Sequence, residues 1–110
     1  MATTYKVLGQ VNPAATTATT AYTVASSTEA VISTIVVANR DSTSKTFTII
    51  LRPNDETLAD KHYLAKDITV GASDTTALTL GITMDATDKL YVSGSDTYLS
   101  FTAFGSEITA

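Results

Sequence analysis

The stretch Thr46–Arg52, TFTIILR, sets the period on which the rest of the chain is built. Phe47, Ile49 and Leu51 fall on one face of an extended segment while Thr46, Thr48 and Arg52 fall on the other, the two-residue repeat of a half-buried β-strand. The same alternation continues outward in the sequence. In ALTLGITM, residues 77–84, Leu78, Leu80, Ile82 and Met84 share a face, with Thr79, Gly81 and Thr83 opposite. In YLSFTAF, residues 98–104, Leu99, Phe101 and Ala103 oppose Tyr98, Ser100 and Thr102. AVISTIVVA, residues 30–38, carries apolar side chains on both faces, as a central strand covered on each side does. No window sustains apolar residues at helical spacing over three turns, which excludes a helix-rich fold.

Turn residues divide the chain at Asn39–Ser42, Pro53–Asp55, Gly71–Asp74, Asp85–Asp88 and Ser93–Asp96. These clusters of Gly, Pro, Asn, Asp and Ser favour bent backbone. Between them the pattern predicts about eight strands, at 5–11, 20–24, 29–40, 45–52, 62–70, 75–84, 88–93 and 98–108. Short strands at this spacing point to an all-β fold, a single antiparallel β-sandwich that is jelly-roll-like or immunoglobulin-like. The expected core is Val31, Ile35, Val37, Phe47, Ile49, Leu51, Ile68, Leu78, Leu80, Ile82, Leu90, Val92, Leu99, Phe101 and Ala103. Residues 13–20, PAATTATT, hold no large apolar side chain and read as a connector. The chain therefore divides into an extended N-terminal arm, a strand plus Thr/Ala-rich connector at 1–20, and a sandwich at 21–110. The strand YKVLGQV is free to pair with its own sheet edge or with a neighbour's.

Composition narrows the function classes. The 110 residues fit one domain. There is no Cys, so a disulfide scaffold, a thiolate zinc site and a Cys nucleophile are excluded. Seven basic against eleven acidic side chains give a net charge of −4 and a pI near 4.6, which argues against an electrostatic grip on nucleic acid. About a fifth of the residues are Thr, whose branched, hydroxylated side chain suits the wet face of a pleated sheet. The opening MATTYKVLGQ lacks a basic region followed by an apolar one, so synthesis in a host cytoplasm without a secretory signal is expected. The longest apolar run, Val31–Ala38, is broken by Ser33 and Thr34 and falls far short of the roughly 20 residues of a membrane span.

Each chemically suggestive residue has a structural explanation. His62 is the single His, and no G-x-S-x-G elbow accompanies it; a local hydrogen bond at a strand end is the expected role. Asp85 and Asp88, and likewise Asp55, Glu56 and Asp60, lack the glycine and closing Glu of a calcium loop and read as turn residues. Arg40, Lys45, Arg52, Lys61, Lys66 and Lys89 are dispersed among acids and form no basic stripe. The five Tyr offer either a glycan platform or interface aromatics, and Tyr91 and Tyr98 flank the Ser93–Asp96 turn as neighbours in one hairpin. No catalytic, cofactor-binding or metal-binding residue and no cofactor are expected. The candidate interface residues are Tyr5, Val7 and Leu8 of the N-terminal strand together with Tyr91 and Tyr98.

Three stretches carry a resemblance. AYTVASSTEAVISTIVVANRDSTSKTFTIILRP, LADKHYLAKDITVGASDTTALTLGITMDATDKLYV and YLSFTAFGSEIT resemble a family of small tailed-bacteriophage virion structural proteins, described as decoration or tail-associated. The pattern rests on Tyr22-Thr23-Val24, on Ala30 to Arg40, on Ala59 to Tyr63 and on Phe104 to Thr109; Ala25 departs from it where Pro is frequent. The resemblance implies a non-enzymatic capsid decoration (cement) protein assembling in many copies. A tail, baseplate or fibre-associated subunit, or a glycan-binding module for host attachment, is the alternative. It also implies major capsid or tail proteins as partners, a homo-oligomer, no nucleic acid or membrane contact, and a place in the virion.

Overall fold

The alternating segments become nine strands in the structure, a computed structural model that describes residues 2–109. They are β1 (Ala2–Val11), β2 (Thr19–Thr23), β3 (Thr28–Asn39), β4 (Lys45–Arg52), β5 (Tyr63–Val70), β6 (Thr75–Leu78), β7 (Ile82–Met84), β8 (Lys89–Gly94) and β9 (Leu99–Thr109). The expected segment 75–84 is two strands, because Gly81 adopts a left-handed φ of 63° just after Leu80 and breaks the pleat. Between β4 and β5 the chain makes two short 3-10 turns, Pro53–Asp55 and Asp60–His62.

The strands pair as a nested series, β1 with β9, β2 with β8, β3 with β6 and β7, and β4 with β5, all antiparallel. Rolling this long hairpin lays β9 against β3 and β8 against β4. The result is a five-stranded sheet, β1-β9-β3-β6 with β7 also on β3, facing a four-stranded sheet, β2-β8-β4-β5. That strand order is the jelly roll, and it decides between the two sandwich topologies that the sequence leaves open. The strand at 5–11 pairs with β9 of its own chain.

Phe47 and Phe101 meet edge-on at the centre with ring centroids 6.2 Å apart, surrounded by Ile35, Ile49, Leu90, Val92 and Leu99. At one end the buried Asn39 amide closes the sandwich. Its Nδ2 donates to the carbonyls of Thr43, Val70 and Gly71 at 2.9–3.2 Å, and its Oδ1 accepts from the Asp41 N–H at 3.0 Å. The end of β3 is thereby tied to the end of β5 in the other sheet.

Several expected core positions lie elsewhere, each for a local reason. Val31 turns outward while Ala30 and Ile32 are buried, because a β-bulge at Ser33 shifts the phase of β3; a one-residue slip exchanges the two faces of a strand. Ile35 and Val37, beyond the bulge, are buried. Ile68 is exposed on the edge strand β5, beside Asp67 with its left-handed φ of 52° and next to the register break that separates it from Ala65. Leu80 is exposed in the gap before Gly81. Leu51 and Leu78 are partly buried against the core. Tyr22, Val24, Val70 and Met84 join the core, and Ile50 is buried on the opposite face of β4.

The bulge on β3 has a counterpart on β1, where the register shifts at Leu8. Both lie opposite Phe104 of β9, next to Gly105. A Cβ at Gly105 would stand 1.8 Å from the Val31 carbonyl oxygen, and one at Gly9 would stand 2.0 Å from the Ala21 carbonyl oxygen. Only glycine permits these approaches.

Three side chains link the sheets at the other end. The Tyr22 hydroxyl of β2 donates to Glu107 Oε2 of β9 at 2.5 Å, and Glu107 Oε1 lies 2.7 Å from the Lys6 ammonium of β1. Lys6 first and the Tyr22 hydroxyl second hold the Glu107 carboxyl below its usual 4.5. Burial first and Glu107 second push the Tyr22 phenol well above its usual 10.0.

Phe101→Ala is expected to cost about 3–5 kcal/mol in urea melts. Gly105→Ala is expected to cost about 1–3 kcal/mol or more through backbone overpacking, whereas Gly71→Ala, whose Cβ would meet only Asp74 at 3.7 Å, serves as the tolerated control. Equal losses at Gly105 and Gly71 would show that the bulge contact is not a constraint. A pH series tests the cross-sheet link. The folded state binds a proton on Glu107 less readily than the unfolded chain, so its stabilisation is complete above about pH 4.5 and is lost as the pH falls through the folded value. Tyr22 has the opposite sign: its contribution is complete below pH 10.0 and is lost as the pH rises. Glu107→Gln is expected to flatten the acid limb of stability against pH, and an unchanged limb would assign acid sensitivity to other carboxylates.

Candidate functional site

The structure separates the five candidate interface residues into three places. Tyr5 and Val7 stand side by side on the outer face of the five-stranded sheet, opposite Ser106 and Phe104 of β9. Tyr5 is 84% exposed and Val7 49%. Leu8 occupies the β1 bulge and packs against the core. Tyr91 lies on the outer face of the four-stranded sheet, and Tyr98 is exposed on the crossing between β8 and β9. Since β8 and β9 belong to opposite sheets, Tyr91 and Tyr98 are not partners in a hairpin.

The bulges account for the first group. Without the extra residue at Leu8, Val7 would share the inward face of Gly9 and Val11; with it, Tyr5 and Val7 face out and Lys6 faces in toward Glu107. The bulge at Ser33 likewise turns Val31 outward beside Ser106, and the Ser33 hydroxyl donates to the Phe104 carbonyl at 3.2 Å. Tyr5, Val31, Phe104 and Ser106 thus line one shallow, open hollow. Phe104 and Val31 escape a sequence reading because their outward direction depends on the bulges.

Charge is nearly absent from this sheet. Its charged residues are Lys6, Glu29 and Glu107, and Lys6 and Glu107 neutralise each other on the inward side. Glu29, at one end of β3, is left as the outward-facing charge. A face whose outward charge is confined to one end, with exposed aromatic and branched side chains at its centre, has the composition of an interface core.

The opposite sheet is partly covered. Asp55 receives the Tyr91 hydroxyl at 2.9 Å and lies 3.4 Å from Lys89 and 3.5 Å from Arg52. The Arg52 guanidinium sits over the Tyr91 ring, 4.6 Å from its centroid, and its Nε donates to the Glu56 carbonyl at 2.6 Å. The Tyr91 hydrogen bond, followed by the two cations, holds the Asp55 carboxyl below its usual range. Tyr91 is therefore engaged in fastening the loop to the sheet. Beyond it, Leu58, Ile50, Tyr63 and a rim of Thr and Ser hydroxyls enclose a half-open cleft of about 330 Å³.

His62 is buried in that loop. Its Nδ1 accepts from the Ala59 N–H at 2.9 Å, so the proton sits on Nε2, 3.2 Å from Glu56 Oε1. Asp88 accepts from the N–H groups of Asn54 and Asp85 at 2.8 Å, and Asp85 from that of Ala86 at 2.8 Å. Lys45 bridges Asp41 at 3.1 Å and Asp96 at 3.0 Å, which raises its own pKa and lowers that of Asp41; the Thr97 N–H first and Lys45 second lower that of Asp96. These groups serve turns and loop ends. Among the described residues no cluster of three or more His, Cys, Asp or Glu has a metal-binding arrangement, and no helix is long and apolar enough to cross a membrane.

No protein-family model matches the chain, and no curated protein does. Among solved structures, the chain is similar to one in the structure of infectious bursal disease virus, Gx strain, with a TM-score of 0.55 at 16% sequence identity. The superposition covers 96% of this chain and 31% of that one, so the present chain spans about a third of its neighbour's length. At this identity the likeness is one of fold: a sandwich of two antiparallel sheets occurs within a chain of a virus structure.

Proposed function

We propose that the protein is a non-enzymatic structural component of a virus particle, and specifically a decoration (cement) protein of a tailed-bacteriophage capsid. The single observation that carries the coarse reading is the jelly-roll likeness to a chain of a virus structure over nearly the whole sequence. Jelly rolls also serve lectins and other binding proteins, so the fold alone does not select a role. The sparsely charged outer face of the five-stranded sheet supports a role in repeated protein contact. The finer reading, capsid decoration on a phage, is supported by the sequence resemblance in the segments at 22–40, 59–63 and 104–109. In this reading Tyr5 and Val7 contact neighbouring subunits or the major capsid protein, residues 1–20 form the contact-making arm, and 21–110 form the body.

A tail, baseplate or fibre-associated position uses the same surface. A glycan-binding role has less support, because the ring and hydroxyl of Tyr91 are already taken by Arg52 and Asp55.

The test is immunogold labelling of purified particles produced from the genome that encodes the chain. Label spread over the shell is the expected result. Label confined to tails would move the protein to the alternative position, and particles free of it would overturn a virion role.

A further inference from the structure

A strand at the edge of a sheet presents backbone N–H and C=O groups without partners, and proteins block such rows with charges, bulges, short strands or cover. The two sheets have four edges, and three are blocked. β5 is irregular at two points against β4 and carries Lys66 and Asp67. β6 and β7 are four and three residues long and are parted at Leu80–Gly81. β2 has five residues and a register break at Thr20–Tyr22, and its Ala21 carbonyl abuts Gly9 of β1.

β1 is open by comparison, with its register break confined to Leu8 and its charge confined to Lys6. It has ten residues, holds an unbroken register against β9 from Ala2 to Val7, and is solvent-exposed throughout that span. Its one charge, Lys6, is turned inward and paired with Glu107 at 2.7 Å. Groups seeking main-chain partners accept an extended strand, and an uncharged row with alternating apolar side chains fits a strand of the same kind. β1 itself has both properties.

We infer that β1 pairs with β1 of a second copy, antiparallel, about a two-fold axis through Tyr5. Residues directly opposed across an antiparallel pair share a face. With both outer faces on the same side, the self-pairings that use this span centre on Thr4, Tyr5 or Lys6. Centring on Lys6 opposes two ammonium groups, which is unfavourable. Centring on Thr4 opposes Tyr5 to Thr3. Centring on Tyr5 stacks the two exposed aromatics across the axis, sets Val7 against Thr3, and sets Lys6 against Thr4. The two five-stranded sheets then form one continuous sheet, and Tyr5, Val7 and Phe104 of both copies join into a single apolar stripe. A contact of about five residues per strand falls below the roughly 1,200 Å² of a stable interface, so the pairing is weak and concentration-dependent in solution. The inference goes beyond the virion reading and does not rest on it.

Because the chain has no Cys, single cysteines report the geometry without background. Opposed β positions have Cβ atoms about 4.5–5.5 Å apart, close enough for a disulfide after a small adjustment. Under mild oxidation of the full chain, Tyr5→Cys is expected to give a covalent dimer. Thr3→Cys alone and Val7→Cys alone are expected to stay monomeric, while an equimolar mixture of those two variants gives the mixed dimer. Leu58→Cys, nearly as exposed as Val7 though less so than Tyr5 and placed in the loop after β4, controls for random collision. A Tyr5→Cys protein that stays monomeric, crosslinking at Leu58→Cys as fast as at Tyr5→Cys, or a homodimer through Val7→Cys would each overturn the inference. Circular dichroism of each variant checks that the sandwich is folded. Dimerisation of a protein that labels no particle would leave the inference standing and remove the virion role.

Discussion

The contact between Gly105 and the Val31 carbonyl governs which way the five-stranded sheet faces. The clearance there admits no Cβ, and the strands on both sides of β9 take up an extra residue opposite Phe104, Ser33 on β3 and Leu8 on β1. Each bulge reverses the alternation of its strand. Ala30 and Ile32 thereby enter the core, Lys6 turns inward to meet Glu107, and Tyr5, Val7 and Val31 turn out to flank Phe104. The exposed apolar patch and the part-exposed Lys6–Glu107 ion pair thus share one backbone cause. A regular register could not supply both, because the even and odd residues of β1 would exchange faces.

The two sheets are finished differently. On the four-stranded sheet, the loop from Pro53 to His62 is fastened down by Asp55 through Tyr91, Arg52 and Lys89, and Leu58 hangs beside the buried Ile50. Its charges are spent on this attachment and on guarding the β5 edge. The five-stranded sheet has no such cover, and it has little free charge. A face left bare by the fold and sparsely charged by the sequence is suited to cover by another molecule, and Tyr5, Val7 and Phe104 stand exposed on it.

The strands themselves were legible from alternation, because Phe47, Ile49, Leu99 and Phe101 obey a local rule that burial in the structure respects. The jelly-roll order was not, since pairing Ala2 with Thr109 or Thr19 with Val92 depends on contacts that no local window contains. Ser33 and Leu8 give no bulge signal of their own. Ser33 reads as a polar interruption and Leu8 as another apolar strand residue, so local alternation puts Val31 on the inward face, which the bulge reverses. Tyr5 and Val7 were singled out as residues of a tethered strand, but their outward direction and their company with Phe104 came only with the register. For Tyr91, the aromatic signal is visible while its engagement by Arg52 and by Asp55, 36 residues away, is a tertiary fact.

Lys6 shows how stability and association are joined in one side chain. An unpaired lysine on an edge strand is among the commonest guards against unwanted pairing. Here the ammonium, on a side chain still about half exposed, is paired with Glu107 on the inner side, and the same contact that ties β1 to β9 also neutralises the charge at the edge. The Tyr22 hydroxyl shares that carboxylate and links it to the opposite sheet. Protonating Glu107 removes the partner that holds Lys6 inward, so acid weakens the attachment of β1 and returns a free charge to its open edge. Both changes act against strand pairing between copies. The docking of β1 and the state of its open edge therefore both depend on one ion pair, and on the pairing inferred above a subunit with β1 fully docked is also the subunit prepared to meet a second copy.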